Sequence, residues 1–185
     1  MTLEQPDKSD LRQRLIAERL ALAPEQRAQW AAAIGKRLSA WLKTHAPRSL
    51  GVYWPIRAEP DLRGFYDEWT RQGVQLALPV VIDKNAPLKF FAWAPGEALM
   101  KDGMGVMAPA SRKNEVMPAA VLLPCLGFTP QRYRLGYGAG YYDRTLAALP
   151  RPHAIGVAYS CACVAFRVAA HDVALDTIFT EQSAV

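Results

Sequence analysis

Five residues, Ala119-Ala120-Val121-Leu122-Leu123, are apolar without interruption and stop at Pro124. A strand with one wet face alternates polar and apolar positions, so an unbroken run of this length reads as a strand buried on both faces. The pattern around it alternates between strand and helix. Residues 49–54 read as a strand turned by Pro55, 74–78 as a strand closed by Pro79, 88–93 as a third, 153–159 as another, and Ile178 falls in a last one. Between them, 61–72 carries Leu62, Phe65 and Trp69 at helical spacing before Gly73, and 141–149 carries Tyr142, Leu146 and Leu149. Two helices open the chain. The first spans about 7–22 with Leu11, Leu15 and Leu22 as its apolar stripe. The second starts at Pro24 and carries Trp30, Ile34, Leu38, Trp41 and Leu42, with Pro47 beyond its end. Strands separated by helices predict an α/β fold with a largely parallel sheet. Ligands in such folds gather at the carboxyl ends of strands, which directs attention to the segments after Trp54 and after Pro124.

With 185 residues, 51% of them hydrophobic and 21% charged, the chain suits one globular domain, expected to cover 1–185. No apolar run approaches the length of a membrane span. The opening MTLEQPDKSD lacks the apolar core of a signal peptide and the Arg-rich character of a transit peptide, so a cytoplasmic location is expected. The net charge of +5 favours an acidic partner, without choosing between nucleic acid, nucleotide and a carboxylate-rich small molecule. Cys125, Cys161 and Cys163 are an odd set with no accompanying His or Cys cluster, and read as buried or inert thiols.

The segment after the buried strand carries the chemistry. Gly136, Gly138 and Gly140 alternate between Arg132, Tyr133, Arg134, Leu135, Tyr137, Ala139, Tyr141, Tyr142, Asp143 and Arg144. Amides without side chains can approach a phosphate closely, the helix beginning near Tyr141 turns its positive end to the same place, and three arginines supply guanidinium forks. The loop is not a Walker A motif, since no Gly-Lys-Ser/Thr follows, nor a dinucleotide fingerprint, since Tyr141 stands where a third glycine is needed. A polyphosphate cradle and a flexible connection both fit the glycines alone. Asp143 is either a helix-dipole partner or a Mg²⁺ ligand, and Asp172 or Asp176 could supply a second carboxylate.

The run 134–144 resembles the signature of the 5-formyltetrahydrofolate cyclo-ligases, also called 5,10-methenyltetrahydrofolate synthetases. Three further segments agree in order. Lys8-Ser9-Asp10-Leu11-Arg12 is similar to the family's N-terminal Lys-x-x-Leu-Arg, Tyr53-Trp54-Pro55-Ile56-Arg57-Ala58-Glu59-Pro60-Asp61 to its first-strand substrate segment, and His171-Asp172 through Glu181 to its C-terminal segment. The resemblance implies a three-layer α/β/α domain that converts ATP and 5-formyltetrahydrofolate to 5,10-methenyltetrahydrofolate, ADP and phosphate. It implies ATP contacts from Lys8, Arg12, Arg134, Leu135, Gly136, Gly138, Gly140 and Tyr142, and folate contacts from Trp54, Glu59, Tyr137 and Tyr141. Arg134 and Tyr141 would act on the reacting groups, and Asp143 and Asp172 would hold Mg²⁺.

A monomer is expected, with a folate as its small-molecule partner, polyglutamylated or not, and with neither nucleic acid nor membrane. The chain departs from the family pattern at Ala108, where Glu precedes Pro in most members, at the turn Thr129-Pro130-Gln131-Arg132, and at Ala139, where some members carry Lys. Three rivals stand beside the cyclo-ligase reading: a nucleotide- and folate-binding relative of weak or lost turnover, which Ala108 would support; another α/β enzyme such as a sugar-phosphate isomerase or acyl-CoA transferase; and an RNA-binding module.

Overall fold

The computed structural model of the chain describes residues 7–170 and 172–185. Two helices come first, α1 (Lys8–Ala21) and α2 (Pro24–His45). Asp7 caps α1 by accepting from the Ser9 amide, and Pro24 at the first position of α2 has no amide proton to leave unsatisfied. The chain continues through β1 (Ser49–Gly51), α3 (Arg63–Arg71), β2 (Gln75–Val80), β3 (Lys89–Ala92), β4 (Leu99–Lys101), β5 (Met107–Pro109), β6 (Glu115–Val116) and β7 (Ala120–Pro124). It ends with β8 (Gly127–Phe128), β9 (Arg134–Leu135), α4 (Tyr141–Ala147), β10 (His153–Val157) and β11 (Thr177–Phe179).

Seven strands form one sheet in the order β11-β10-β7-β1-β2-β3-β6. The five from β11 to β2 run parallel, and β3 and β6 are joined by antiparallel pairing. Four residues of the apolar run, Ala120–Leu123, form β7 together with Pro124 at the sheet's interior, all five of them buried, while Ala119 lies exposed just before the strand. Alternation sorts its side chains. Leu122 joins Leu50, Val52, Leu76, Leu78, Ile155 and Val157 against α2 and α3, while Val121 and Leu123 join Ala77, Phe90, Ala154 and Ile178 against Leu146 of α4. Helices therefore cover both faces, and the three-layer α/β/α arrangement is present. On the first face, a Cβ at Gly35 would lie 2.1 Å from the Phe65 ring, so only glycine lets α2 approach α3 this closely. The Trp69 indole N–H donates to Ser39 Oγ at 2.8 Å across the same contact.

Four expectations need correction. The buried stripe of α1 is Leu11, Leu15 and Arg19, at spacings of four; Leu22 caps the helix instead. β2 runs through Pro79 to Val80. Pro79 lies on the same strand edge as Ala77, whose carbonyl takes the Val52 amide, and β1 has ended there, so no partner is deprived of a donor. Two ribbons, β4–β5 and β8–β9, stand where the sequence reading places no strand. Their strands are two or three residues long, too short to show a period. Finally, Cys125 is buried, which pushes its thiol pKa up to about 12, but Cys161 and Cys163 are exposed.

Candidate functional site

β1 is flanked by β2 on one side and β7 on the other, so chain order reverses between β1 and β7. A cleft of about 1390 Å³ opens beyond the carboxyl ends of these strands. Tyr53, Trp54, Ile56, Arg57 and Glu59 enter it from the segment after β1. Pro124 and the whole loop from Arg134 to Arg144 enter from the side of β7, Lys8 and Arg12 from α1, and Asp172 and Arg167 from the C-terminal segment. Asp102, Met104 and Val106, from the tip of the β4–β5 ribbon, form a further wall. All the residues to which the family resemblance assigns a site role thus line one cavity.

The glycine loop is tethered rather than slack. Arg12 donates from Nε to the Gly136 carbonyl at 2.8 Å, and a Cβ at Gly138, whose φ is +97°, would sit 3.3 Å from the Arg12 guanidinium carbon. Arg144 donates to the carbonyls of Ala139, Lys84 and Ala86 and lies 5.2 Å from the Tyr141 ring centre. Tyr141 directs its hydroxyl to Met104 Sδ at 3.9 Å. The Leu135 side chain is buried with Leu11, Leu15 and Leu126, so that residue offers the cleft only backbone. Arg132 does not belong to the cradle. It adopts φ +65° and donates to the Leu175 carbonyl.

Charge in this half of the cleft is paired across elements. Arg134 has a side chain only 7% exposed, lies 3.6 Å from Asp143 Oδ2 and 5.1 Å from the Tyr142 ring centre, and carries a buried Nε with no partner. An unpartnered guanidinium N–H beside a cleft is a donor in want of an acceptor. Lys8 Nζ is 2.9 Å from Asp172 Oδ2, and Asp172 also accepts from the Ala169 amide. Asp176 lies elsewhere, held by Arg151 and the Ala154 amide. It is no candidate for the cleft. His171, part of the quoted C-terminal segment, lies outside the described residues. Asp143 and Asp172 thus each stand beside a cation, and one or two carboxylates is the number that Mg²⁺ takes where phosphate and water fill its remaining positions.

The other half is buried. Glu59 is 5% exposed, accepts from the Ile56 amide at 2.9 Å, and accepts from the Tyr137 hydroxyl at 2.9 Å. Burial holds its carboxyl above the usual glutamate range, against the opposing pull of the Ile56 amide and Arg19. Burial, with the Glu59 charge beside it, pushes the Tyr137 phenol up to about 12. Trp54 lies at the rim, with Arg63 4.9 Å from its ring centre and Trp93 set perpendicular to it, ring centres 6.0 Å apart.

Arg19 was not visible as a site residue. It donates to the Tyr137 hydroxyl and, at 2.9 Å, to the Arg57 carbonyl. The available signal was the spacing Leu11, Leu15, Arg19, which puts a charged residue on the apolar face of a helix. Of the departures from the family pattern, Ala108 is buried against Val80 and Phe91 rather than in the cleft, and the Thr129–Arg132 turn supplies none of the cleft's lining. Ala139 remains at the cleft, exposed, its carbonyl taken by Arg144.

Residues 4–181 match the 5-formyltetrahydrofolate cyclo-ligase family. A 5-formyltetrahydrofolate cyclo-ligase of Mycoplasma pneumoniae is 30% identical over 183 residues, covering 95% of this chain and 99% of its own. One of Mycolicibacterium smegmatis is 32% identical over 146 residues, 75% of this chain and 74% of its own. The structure of a 5,10-methenyltetrahydrofolate synthetase from Aquifex aeolicus superposes with a TM-score of 0.82 at 28% identity, over 96% of this chain and 91% of that one. The synthetase structure from Mycoplasma pneumoniae gives 0.79 at 27%, over 95% and 99%.

Proposed function

The chain belongs to the 5-formyltetrahydrofolate cyclo-ligase family, and from that premise we propose how its cleft performs the ATP-dependent ligation. The observation that carries the reading is the meeting of a tethered glycine loop and a buried carboxylate in one cavity at the β1/β7 crossing. ATP lays its phosphates along the loop amides of Gly136, Gly138 and Gly140, with Lys8, Arg12 and Arg134 neutralising charge. The pterin enters beside Trp54, and Glu59 accepts from its amino and ring N–H groups. Mg²⁺ would be held by Asp143 and Asp172 together with the nucleotide and would supply charge neutralisation on the phosphates.

The reaction needs little covalent help from the protein. A formamide oxygen is a poor leaving group. Transfer of the γ-phosphoryl of ATP to that oxygen releases ADP and makes an activated iminium phosphate. N10 of the folate then attacks the formyl carbon and gives up its proton to the departing phosphate or to water, the C–O bond breaks, and phosphate leaves as the ring closes. Positioning and charge stabilisation carry such a step. Arg134 is the residue for the transferring phosphoryl, because its guanidinium lines the cleft at the start of the glycine loop. Tyr137 and Tyr141 flank the folate on the loop side.

The acidic partner favoured by the net charge is then ATP and the folate glutamate tail, rather than nucleic acid. No described helix is long and apolar enough to cross a membrane. We take the chain as one cyclo-ligase domain that works as a cytoplasmic monomer. The test is direct: purified protein with 5-formyltetrahydrofolate, ATP and Mg²⁺ should develop the methenyl absorbance, and omission of ATP should abolish it. No methenyl product where a relative forms it under the same conditions would overturn the reading.

A further inference from the structure

Arg19 sits on α1 with 6% of its surface exposed, on a helix whose other two buried residues are leucines. An arginine is buried at a cost unless its donors are used. Here Nε donates to the Arg57 carbonyl at 2.9 Å and one terminal nitrogen donates to the Tyr137 hydroxyl. The other terminal nitrogen is buried without a partner. The carbonyl that Arg19 takes belongs to an unusual turn. Arg57 and Ala58 both have positive φ, 46° and 58°, in a chain segment without glycine. Such residues persist only where surrounding contacts over-determine them. The Glu59 amide donates to the Ile56 carbonyl at 2.9 Å, and the Glu59 carboxylate returns to the Ile56 amide, closing the turn on itself. The hydroxyl that Arg19 takes is the one that donates to Glu59. Arg57 then lays its guanidinium 5.1 Å from the Tyr137 ring centre.

We propose that Arg19 is a positioning residue for the folate site: it clamps the strained Arg57–Ala58 turn and the Tyr137 hydroxyl at once, and so sets the direction of the Glu59 carboxylate. The clamp joins three segments far apart in the chain, α1, the post-β1 turn and the glycine loop, and adds to the bond that Arg12 already makes from α1 to the Gly136 carbonyl. It also makes the folate half answer to α1, the helix that carries Lys8 and Arg12 to the phosphate half. Arg19 does not line the cleft, so it acts through Glu59 and Tyr137 rather than on the substrate. The inference rests on the reading of Glu59 as the pterin acceptor.

The experiment compares Arg19→Met, Arg19→Lys and Glu59→Gln by steady-state kinetics with each substrate varied. Arg19→Met should raise KM for 5-formyltetrahydrofolate about tenfold, the scale of one charge-assisted hydrogen bond, with KM for ATP changed less than about twofold. Arg19→Lys, which keeps the charge but offers one point donor in place of a fork, should recover part of that loss. Arg19 also holds the Glu59 pKa down, so Arg19→Met should move the acid limb of folate binding to higher pH, while Arg19→Lys should not. The other charged or titrating groups that face Glu59 and Tyr137, namely Arg57, Arg134, Tyr53, Tyr142 and Cys125, are unchanged in all three variants. An unchanged folate KM in Arg19→Met, or equal losses for both substrates alongside a lowered Tm, would overturn the inference. Should Arg19→Met not fold, the Arg19→Lys and Tyr137→Phe double-mutant cycle decides. Coupled losses in folate affinity support the clamp, and additive losses refute it. If Glu59→Gln itself leaves folate KM unchanged, the reading of Glu59 has failed instead.

Discussion

The wall we assign to the phosphates takes its backbone from one continuous stretch, 134–144, to which α1 adds Lys8 and Arg12, whereas the wall around Glu59 is assembled from side chains of α1, the turn after β1 and the glycine loop. The first is largely backbone, partly exposed, with cations hooked to its carbonyls. The second is buried side chain, with every oxygen of Glu59 engaged. Backbone amides and arginines can meet phosphate oxygens in several orientations, so a tethered loop suffices. A flat heterocycle with a fixed donor pattern needs a carboxylate of fixed direction, and burial supplies that rigidity at the cost of a raised pKa. If this division is right, the two walls should fail separately.

Arg134→Ala should produce the largest effect. ATP affinity should fall by about 1.5–3 kcal/mol, the range for a charge-assisted hydrogen bond, with folate affinity nearly unchanged. Calorimetry with each ligand checks this, and equal losses would erase the distinction between the walls. Glu59→Gln should do the converse, weakening folate by about 1–3 kcal/mol as a carboxylate oxygen is exchanged for an amide donor, with ATP binding intact. Asp143→Asn comes next. As a metal ligand it should shift the Mg²⁺ titration of activity to higher concentration in the folded variant. As a helix-dipole partner only, it should cost roughly 0.3–1 kcal/mol of stability and leave the Mg²⁺ curve alone.

The smallest expected effect is on stability against pH. Glu59 has its folded-state pKa raised, so the stability it contributes is present in full below the unfolded-state value and is lost as pH rises through the folded-state value. Denaturant midpoints of wild type minus Glu59→Gln should therefore rise as the solution is acidified through that window and then level out. A flat difference would place the carboxylate in a more watery site than its burial indicates.

The contrast between the walls also explains what could be read in advance. The β7 run and the glycine loop are local, so residue order alone reveals them, and the helix following the loop begins at Tyr141 as the pattern predicts. Lys8, Arg12, Trp54, Glu59 and Asp172 were reachable because they belong to segments that resemble the family pattern, and the fold brings all of them to the cleft. Arg19 belongs to no such motif. Its role depends on the Arg57 carbonyl and Tyr137 hydroxyl arriving from positions 38 and 118 residues away, and no local pattern announces that. The β4–β5 ribbon escaped notice for a different reason. Strands of three residues carry too few positions to establish a period, and the Asp102 side chain, which accepts from the Met104 and Val106 amides, organises its turn.

The central claim is that the two walls meet on one atom, the formyl oxygen, which receives its phosphoryl group from the glycine-loop side while the folate is held from the Glu59 side. The measurement that tests it most directly is the fate of that oxygen. The protein is incubated with ATP, Mg²⁺ and 5-formyltetrahydrofolate labelled with ¹⁸O in the formyl group, and the released phosphate is analysed by mass spectrometry. One labelled oxygen in each phosphate formed with the methenyl product is the predicted result. Unlabelled phosphate, with the label released to water, would contradict phosphoryl transfer to the formyl oxygen and the account built on it.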